Sequence, residues 1–360
     1  MFEVDFLPVG NSNGDAICIQ YSVAGGIYVH VVDGGYADTG QKIIDHIKKY
    51  YGANYAISHM VLSHADNDHA TGLVEVMKGM TVRNLWMNRP WLYANDTIQH
   101  FHGLYTLDGL VEKMRQMHPY LVELEELAAK QGTVIHDVFQ GEKIGNFTVL
   151  APSRARYIRL IPDLDKTPQR HSAADASLGT ILGEALKRVR DYLAETWDIE
   201  TLSNDPDPTS ASNETSVVQM GMLDGQRILL TADVGPEGLN EAADYAKAIG
   251  LLERFPHKVQ VPHHGSRRNV TPQVLDRLIG GRMPEGQSCG TAICSIGDGK
   301  DEYPRGQVNN AFLRRGYPVY VTRGNNMLWH SGGNGRGWGN GTPLPFAERV
   351  EDKAKSAAAA

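Results

Sequence analysis

An α/β or α+β layered protein is the fold class this sequence predicts, on three observations. Short apolar runs that read as strands alternate with stretches of helical spacing. Charged and imidazole side chains gather where the strands end. The chain also carries 38 glycines in 360 residues, about one in ten against a usual ~7%, an excess expected where many short elements join through tight turns. Hydrophobic residues at 41% and charged residues at 21% exclude a disordered, collagen-like or coiled-coil chain. At about 150 residues per domain, the length allows one large domain or two ordinary ones.

Ala16–Tyr21 and Ile27–Val32 read as strands joined at Gly25-Gly26, a hairpin signal, with a turn at Asp33-Gly34-Gly35. Ile43, Ile44 and Ile47 stand at helical spacing within 41–50, and the run from Ala56 to Leu62 returns to a strand. A helix over Thr71–Lys78 and a strand over Val82–Met87 follow, and then a mostly helical stretch over 90–130. Phe147–Ala151 is a strand stopped by Pro152. Residues 153–207 read as a polar, helix-rich insertion whose Asp205-Pro-Asp-Pro end is a mobile loop. Further strands are expected at Ser216–Leu223, Arg227–Thr231, Lys258–Val261, Ala292–Ile296 and Pro318–Thr322. Helices are expected around 238–252 and 306–315, before a Gly/Asn-rich stretch at 331–342.

The net charge of −7 gives no general attraction to nucleic acid. Its distribution is uneven, however: residues 251–350 hold 13 basic and 7 acidic side chains, net +6, leaving −13 for the rest. An anionic ligand would be received in that last third, unless the charge is simply a solvated face. The three cysteines, Cys18, Cys289 and Cys294, are too few for a disulfide scaffold and suit a reducing compartment. With no signal-peptide pattern and no run of ~18 apolar residues, a soluble, cytoplasmic protein without a membrane partner is expected.

The chemistry is concentrated in His64-x-Asp66-x-Asp68-His69, four metal-type ligands in six residues between a strand and a helix. A loop there can turn all four inward, and imidazole with carboxylate suits zinc, manganese or iron. The plain alternative is a polar turn in which Asn67 or Asp68 caps the next helix. Two further pieces favour the metal reading. Asp233 ends the strand Ile228-Leu-Leu-Thr-Ala, and His263-His264-Gly265-Ser266 follows Val259-Gln-Val-Pro.

These three motifs resemble the metal-binding motifs of the metallo-β-lactamase fold superfamily, and within it the hydrolase domain of the ComEC competence proteins. That subfamily also has an aspartate at the position of Asp66. Asn13-Gly14-Asp15-Ala16, Asp33-Gly34-Gly35, Asn213-x-x-Ser216-Val217-Val218 and Gly316-Tyr-Pro-Val-Tyr-Val-Thr322 are similar to its other segments, in the family's order over about 3–330. The resemblance implies an αββα sandwich with one hydrolase domain over 1–350. Helical insertions would lie at about 90–130 and 153–210, with a disordered tail at 351–360. It also implies two divalent ions, zinc or manganese with magnesium possible. His64 and Asp66 would hold one, and Asp68, His69 and His263 or His264 the other, with Asp233 bridging. Asp68, Asp233 and His264 are the expected catalytic groups. Asp15 and Asp33 would support the ligands from behind.

The chain departs from the pattern in places. Asn213 stands near the place of a third-motif histidine, so the site is richer in oxygen and favours harder ions; His171 is a weaker candidate for that place. Tyr303-Pro304 replaces a common His-Pro. The implied activity is hydrolysis by a hydroxide that two metals activate, on a phosphodiester of nucleic acid or a nucleotide. Asn213, Ser216, Ser266, Arg267 and Arg268 are the candidate substrate contacts. Alternatives are a small-molecule hydrolase of the lactonase or thioesterase type, or a subunit that binds a protein partner or its own copy through the insertions, as in some phage-defence systems. Trp86, Trp91, Trp197, Trp329 and Trp338 are expected mainly in packing, with base stacking as the alternative.

Overall fold

A computed structural model describes residues 1–52, 54, 56–101, 103–164, 192–332 and 336–351. The amino-terminal half contributes strands β1 (Phe2–Phe6), β2 (Ala16–Val23), β3 (Gly26–Gly34), β4 (His59–Val61), β5 (Asn84–Trp86) and β6 (Val134–His136). Its helices are α1 (Ala37–His46), α2 (Asn67–Gly79), α3 (Ala94–Thr97), α4 (Leu107–Met117) and α5 (Pro119–Gln131). The middle of the chain adds β7 (Lys143–Ile144), β8 (Phe147–Ala151), α6 (Arg154–Leu160), β9 (Tyr192–Ala194) and α7 (Ala211–Glu214). The remainder contributes β10 (Val218–Leu223), β11 (Gln226–Leu230), α8 (Pro236–Ala248), β12 (Lys258–Gln260) and α9 (Pro272–Ile279). It ends with β13 (Thr291–Cys294), α10 (Gly306–Arg314), β14 (Val319–Val321), β15 (Met327–Ser331) and β16 (Arg349–Glu351).

Two seven-stranded sheets result, in the orders β15-β1-β2-β3-β4-β5-β6 and β14-β13-β12-β11-β10-β8-β7, with β9 and β16 forming a separate ribbon. Alternation along the strands builds the layers. In β2, Ile17, Ile19 and Tyr21 enter a core between the sheets with Phe147, Ile228, Leu230 and Ile293, while Cys18 faces outward. Ile43, Ile44, Leu73, Met77 and Leu124, from α1, α2 and α5, cover the outer face of the first sheet. Leu239, Ala243, Leu275, Leu278 and Phe312, from α8, α9 and α10, cover the second. The architecture is therefore the expected αββα sandwich.

Part of each sheet is parallel: β3 to β6 in one, β11 to β14 in the other. The loops after β3, β4, β11, β12 and β13 carry the polar motifs, as ligand loops in open α/β sheets do. Helix α2 can reach β3 only because two glycines meet. A Cβ on Gly72 would lie 1.8 Å from the Gly34 carbonyl oxygen, so any side chain there would push apart the two segments that carry Asp33 and His69.

Several expectations need correction. Strands β1 and β15 and helix α9 were not among the expected elements. Both strands are short; β1 pairs with β15 on one side and with β2 on the other. Helix α9 begins at Pro272 with the Thr271 hydroxyl accepting from Val274 N, a start signal that the short apolar run conceals. The first helix spans Ala37–His46 and continues as a wider turn over Ile47–Tyr51, rather than 41–50. Of the second insertion, the described part contains α6, then the strand β9 and an extended run. The approach to Asp205 is pinned: Arg314 bonds Glu195 (2.7 Å) and Arg315 bonds Glu200 (2.7 Å). His171 lies outside the described residues, as does the expected tail, except that Glu351 ends β16. Among the described residues, no helix is long and apolar enough to cross a membrane.

Candidate metal centre

Asp233 is the midpoint of the polar cluster. Its Oδ2 lies 3.4 Å from His69 Nε2, 3.5 Å from His263 Nε2 and 3.5 Å from His264 Nε2. Asp68 Oδ2 is 3.9 Å from His69 Nε2, and Asp66 Oδ2 is 3.5 Å from His64 Nε2. The His64 and His69 rings stand 4.2 Å apart. Asp66 occupies the position before α2, yet its carboxylate makes no capping bond and turns toward His64 instead. Asp68 and His69 lie in the first helical turn.

The other nitrogen of each imidazole is already engaged. His69 Nδ1 donates to Asp33 Oδ2 (2.8 Å), which also accepts the Ser63 hydroxyl (2.6 Å). Because that hydroxyl gives its proton to Asp33, its oxygen accepts from His64 Nδ1 (3.0 Å). His264 Nδ1 donates to the Ser295 carbonyl (2.8 Å). His263 Nδ1 donates to Asn269 Oδ1 (2.8 Å), and the Asn269 amide is oriented by its own donation to the Asp233 carbonyl (2.9 Å). Four Nδ1–H groups are thus held from behind, which leaves all four Nε2 atoms as the acceptor ends.

Those ends want a cation. His64 Nε2, His69 Nε2, His264 Nε2 and Asp233 Oδ1 are buried without a hydrogen-bond partner. Asp68, His69, Asp233 and His264 can each bring a ligand atom within 4.8 Å of the others. Burial opposes charge on Asp233, but His263, His264 and His69 hold its carboxyl well below the usual range. His264 would be pushed down by burial, yet Asp233 and then Asp15 raise it to about 9. His69 is raised as well, against burial, by Asp233, Asp33 and Asp68. A divalent cation would fill these Nε2 positions. The residues present therefore fit one or more metal ions.

The backbone is strained at the same place. Among the described residues seven non-glycines have positive φ, and four of them are Asp33 (57°), Ala232 (46°), His263 (44°) and His264 (57°). Such a conformation costs about 1–3 kcal/mol per residue, and the surrounding packing must hold it. Gly265 follows at φ 79°, where a Cβ would lie 2.2 Å from Pro304 Cβ.

Asp15 and Asp33 lie behind His69, close enough for all three to offer atoms within 4.8 Å. Burial raises the Asp15 carboxyl, and His264 and His69 oppose that. The structure sets His264, rather than His263, with Asp68 and His69; His263 lies on the Asn213 side, 3.4 Å from Asn213 Nδ2. Ser216 Oγ is buried without a partner. Ser266 Oγ accepts from Arg268 N (3.3 Å). Arg267 does not reach freely into solvent: its guanidinium donates to the Glu351 carbonyl of β16 (3.2 Å). Arg268 is exposed and, with Arg267, Ser203 and Gln307, lines a cavity of about 310 Å³. Sequence reasoning missed Ser63, Asn269 and Ser295. Ser63, directly before His64, and Asn269, three residues beyond Ser266, flank motifs that sequence reasoning did single out.

Fold and centre together define an αββα sandwich with an imidazole–carboxylate centre at the carboxyl ends of its parallel strands. No protein-family pattern and no curated protein sequence matches the chain. Solved structures do resemble it. The Zn²⁺-bound PqqB from Methylobacterium extorquens is 11% identical over 92% of this chain and 100% of its own, with a TM-score of 0.43. A metallo-β-lactamase HARLDQ-motif mutant from Cronobacter sakazakii is 12% identical over 71% and 75%, with a TM-score of 0.33. A putative metallo-β-lactamase from Thermotoga maritima is 8% identical over 69% and 92%, again at 0.33.

Proposed function

We propose that this protein is a metal-dependent hydrolase of the metallo-β-lactamase type, ComEC-like in its motifs, that cleaves a phosphodiester in nucleic acid or a nucleotide. The observation that carries the metal part is the set of four imidazoles whose Nδ1 atoms are tied back, three of which, His64, His69 and His264, leave buried Nε2 atoms without hydrogen-bond partners near Asp233. His64, Asp66 and His263 would hold one divalent ion, Asp68, His69 and His264 a second, and Asp233 would serve both. Bound ions would supply an activated water at neutral pH and polarisation of the scissile oxygen. Mixed imidazole and carboxylate donors suit zinc or manganese.

The chain's own groups do the positioning. Asp33 and Asn269 fix two of the imidazoles, so little reorganisation is needed when a cation binds. The exposed Arg268 guanidinium, three residues past Gly265, would meet a phosphate, and the +6 of residues 251–350 favours an anionic substrate. The test is hydrolysis of single-stranded DNA, duplex DNA, RNA and cyclic nucleotides by zinc- or manganese-loaded protein, beside Asp233→Asn. Cleavage that is lost in the variant supports the proposal. If all four substrates stay intact while a lactone or thioester is hydrolysed, the substrate class is wrong and the small-molecule alternative holds.

A further inference from the structure

A second cavity, of about 990 Å³, opens between β14 and β15, which form the edges of the two sheets. It does not belong to the metal centre: its lining includes Lys258, the first residue of β12, and the imidazoles lie beyond the other end of that strand. Trp329 and Tyr320 supply aromatic surface from the two sheets, and Trp338 supplies more from the glycine-rich segment above them. That segment is fastened at both ends. Arg336 pairs with Asp5 and with Glu3 (2.6 Å), and Leu344 N donates to the Val319 carbonyl (2.8 Å). Between these anchors Gly337 and Gly339 would meet nothing within 4 Å if they carried a Cβ, so the lip leaves open room.

Charge decides what fits. Arg336 is matched by Glu3 and Asp5, but no carboxylate of the described residues pairs with Lys258. Among the described residues Lys258 Nζ donates only to Thr291 Oγ1 (3.1 Å), and it stands 6.0 Å from the Trp329 ring centroid. Two of its three donors remain for a ligand. A half-buried ammonium beside aromatic faces and the Asn325 and Asn340 amides recognises a flat ring that carries an anionic group. The volume is within the range of small-molecule sites.

The geometry points to this edge cleft as a binding site for a planar aromatic anion the size of a nucleoside monophosphate, with Lys258 as its charge partner. The site does not depend on the hydrolase reading. The experiment is calorimetric titration of the full chain, stripped of metal by EDTA and dialysed, with AMP and separately with adenosine. One AMP should bind per chain, and adenosine at least about tenfold more weakly. Lys258→Met should weaken AMP about tenfold or more, Lys258→Arg should restore it to within about threefold, and Trp338→Ala, at an exposed position, should weaken it too. Asp233→Asn should leave AMP affinity unchanged. Absence of AMP binding to the wild type, equal affinity for adenosine, or loss of binding in Asp233→Asn with Lys258→Met unaffected would each overturn the assignment.

Discussion

Asp33 and His69 are joined by a 2.8 Å hydrogen bond from the imidazole Nδ1 to Oδ2, and the same carboxylate accepts the Ser63 amide (2.8 Å) and hydroxyl (2.6 Å). One buried side chain thus orients His69 directly and His64 through Ser63. Asp33→Asn keeps the shape but presents an NH2 group where two donors need an acceptor. Metal affinity should fall about 10–100-fold, read by competition with a chromogenic chelator. Unchanged affinity would show that the bond is only structural.

Metal loading should raise stability. At an ion concentration about 100 times the Kd, linkage contributes ~2.7 kcal/mol, and for a chain of this size the melting temperature should rise by about 3–4 °C. EDTA should reverse the rise, and Asp233→Asn should abolish it. A melt that does not move with zinc, manganese or magnesium would argue against the centre.

Gly72→Ala should be among the most damaging single-methyl additions, because its Cβ would meet the Gly34 carbonyl at 1.8 Å. Overpacking of this kind costs about 1–3 kcal/mol or more, and here it also separates Asp33 from His69. Both melting temperature and metal affinity should drop; a variant with both at wild-type values would refute the close approach.

Acid sensitivity is expected from the inter-sheet core. Burial pushes His59 down to about 4, with His136 adding to the effect, and burial also holds His30 well below its ordinary value. Between pH 6.5 and 4 the unfolded chain therefore binds more protons than the folded one, so stability falls as pH falls through that window. His30→Gln should shift the acid unfolding midpoint of metal-free protein to lower pH. A midpoint that stays in place would assign the transition to carboxylates instead.

If the substrate is a nucleic acid, Arg268→Ala should raise KM about equally for all sequences and lower the salt dependence of binding by about one unit of slope. Arg267→Ala should act differently: it frees the Glu351 carbonyl of β16 and should lower the melting temperature before it changes KM. Identical kinetic effects from both would contradict their separate placements.

Much of this protein was legible in the sequence because its chemistry sits in contiguous motifs. His64 to His69, Asp233 and His263-His264 stand at strand ends, the alternation of strands with helices pointed to a layered α/β or α+β protein, and the resemblance of the motifs implied the αββα sandwich. Local spacing can announce such features, since a loop of six residues brings its own side chains together. What only the tertiary structure decided depends on contacts between distant segments. Asn269 is recognisable as the acceptor for His263 only once the Asp233 carbonyl has oriented its amide. Ser295 matters through a backbone oxygen, which no residue type encodes. His264 joins Asp68 and His69 because both histidines adopt left-handed backbone angles, and the surrounding packing holds them there. The pairing of β1 with β15, and the cleft beside β15, join the two ends of the chain, a contact whose partners lie more than three hundred residues apart and leave no local pattern to read.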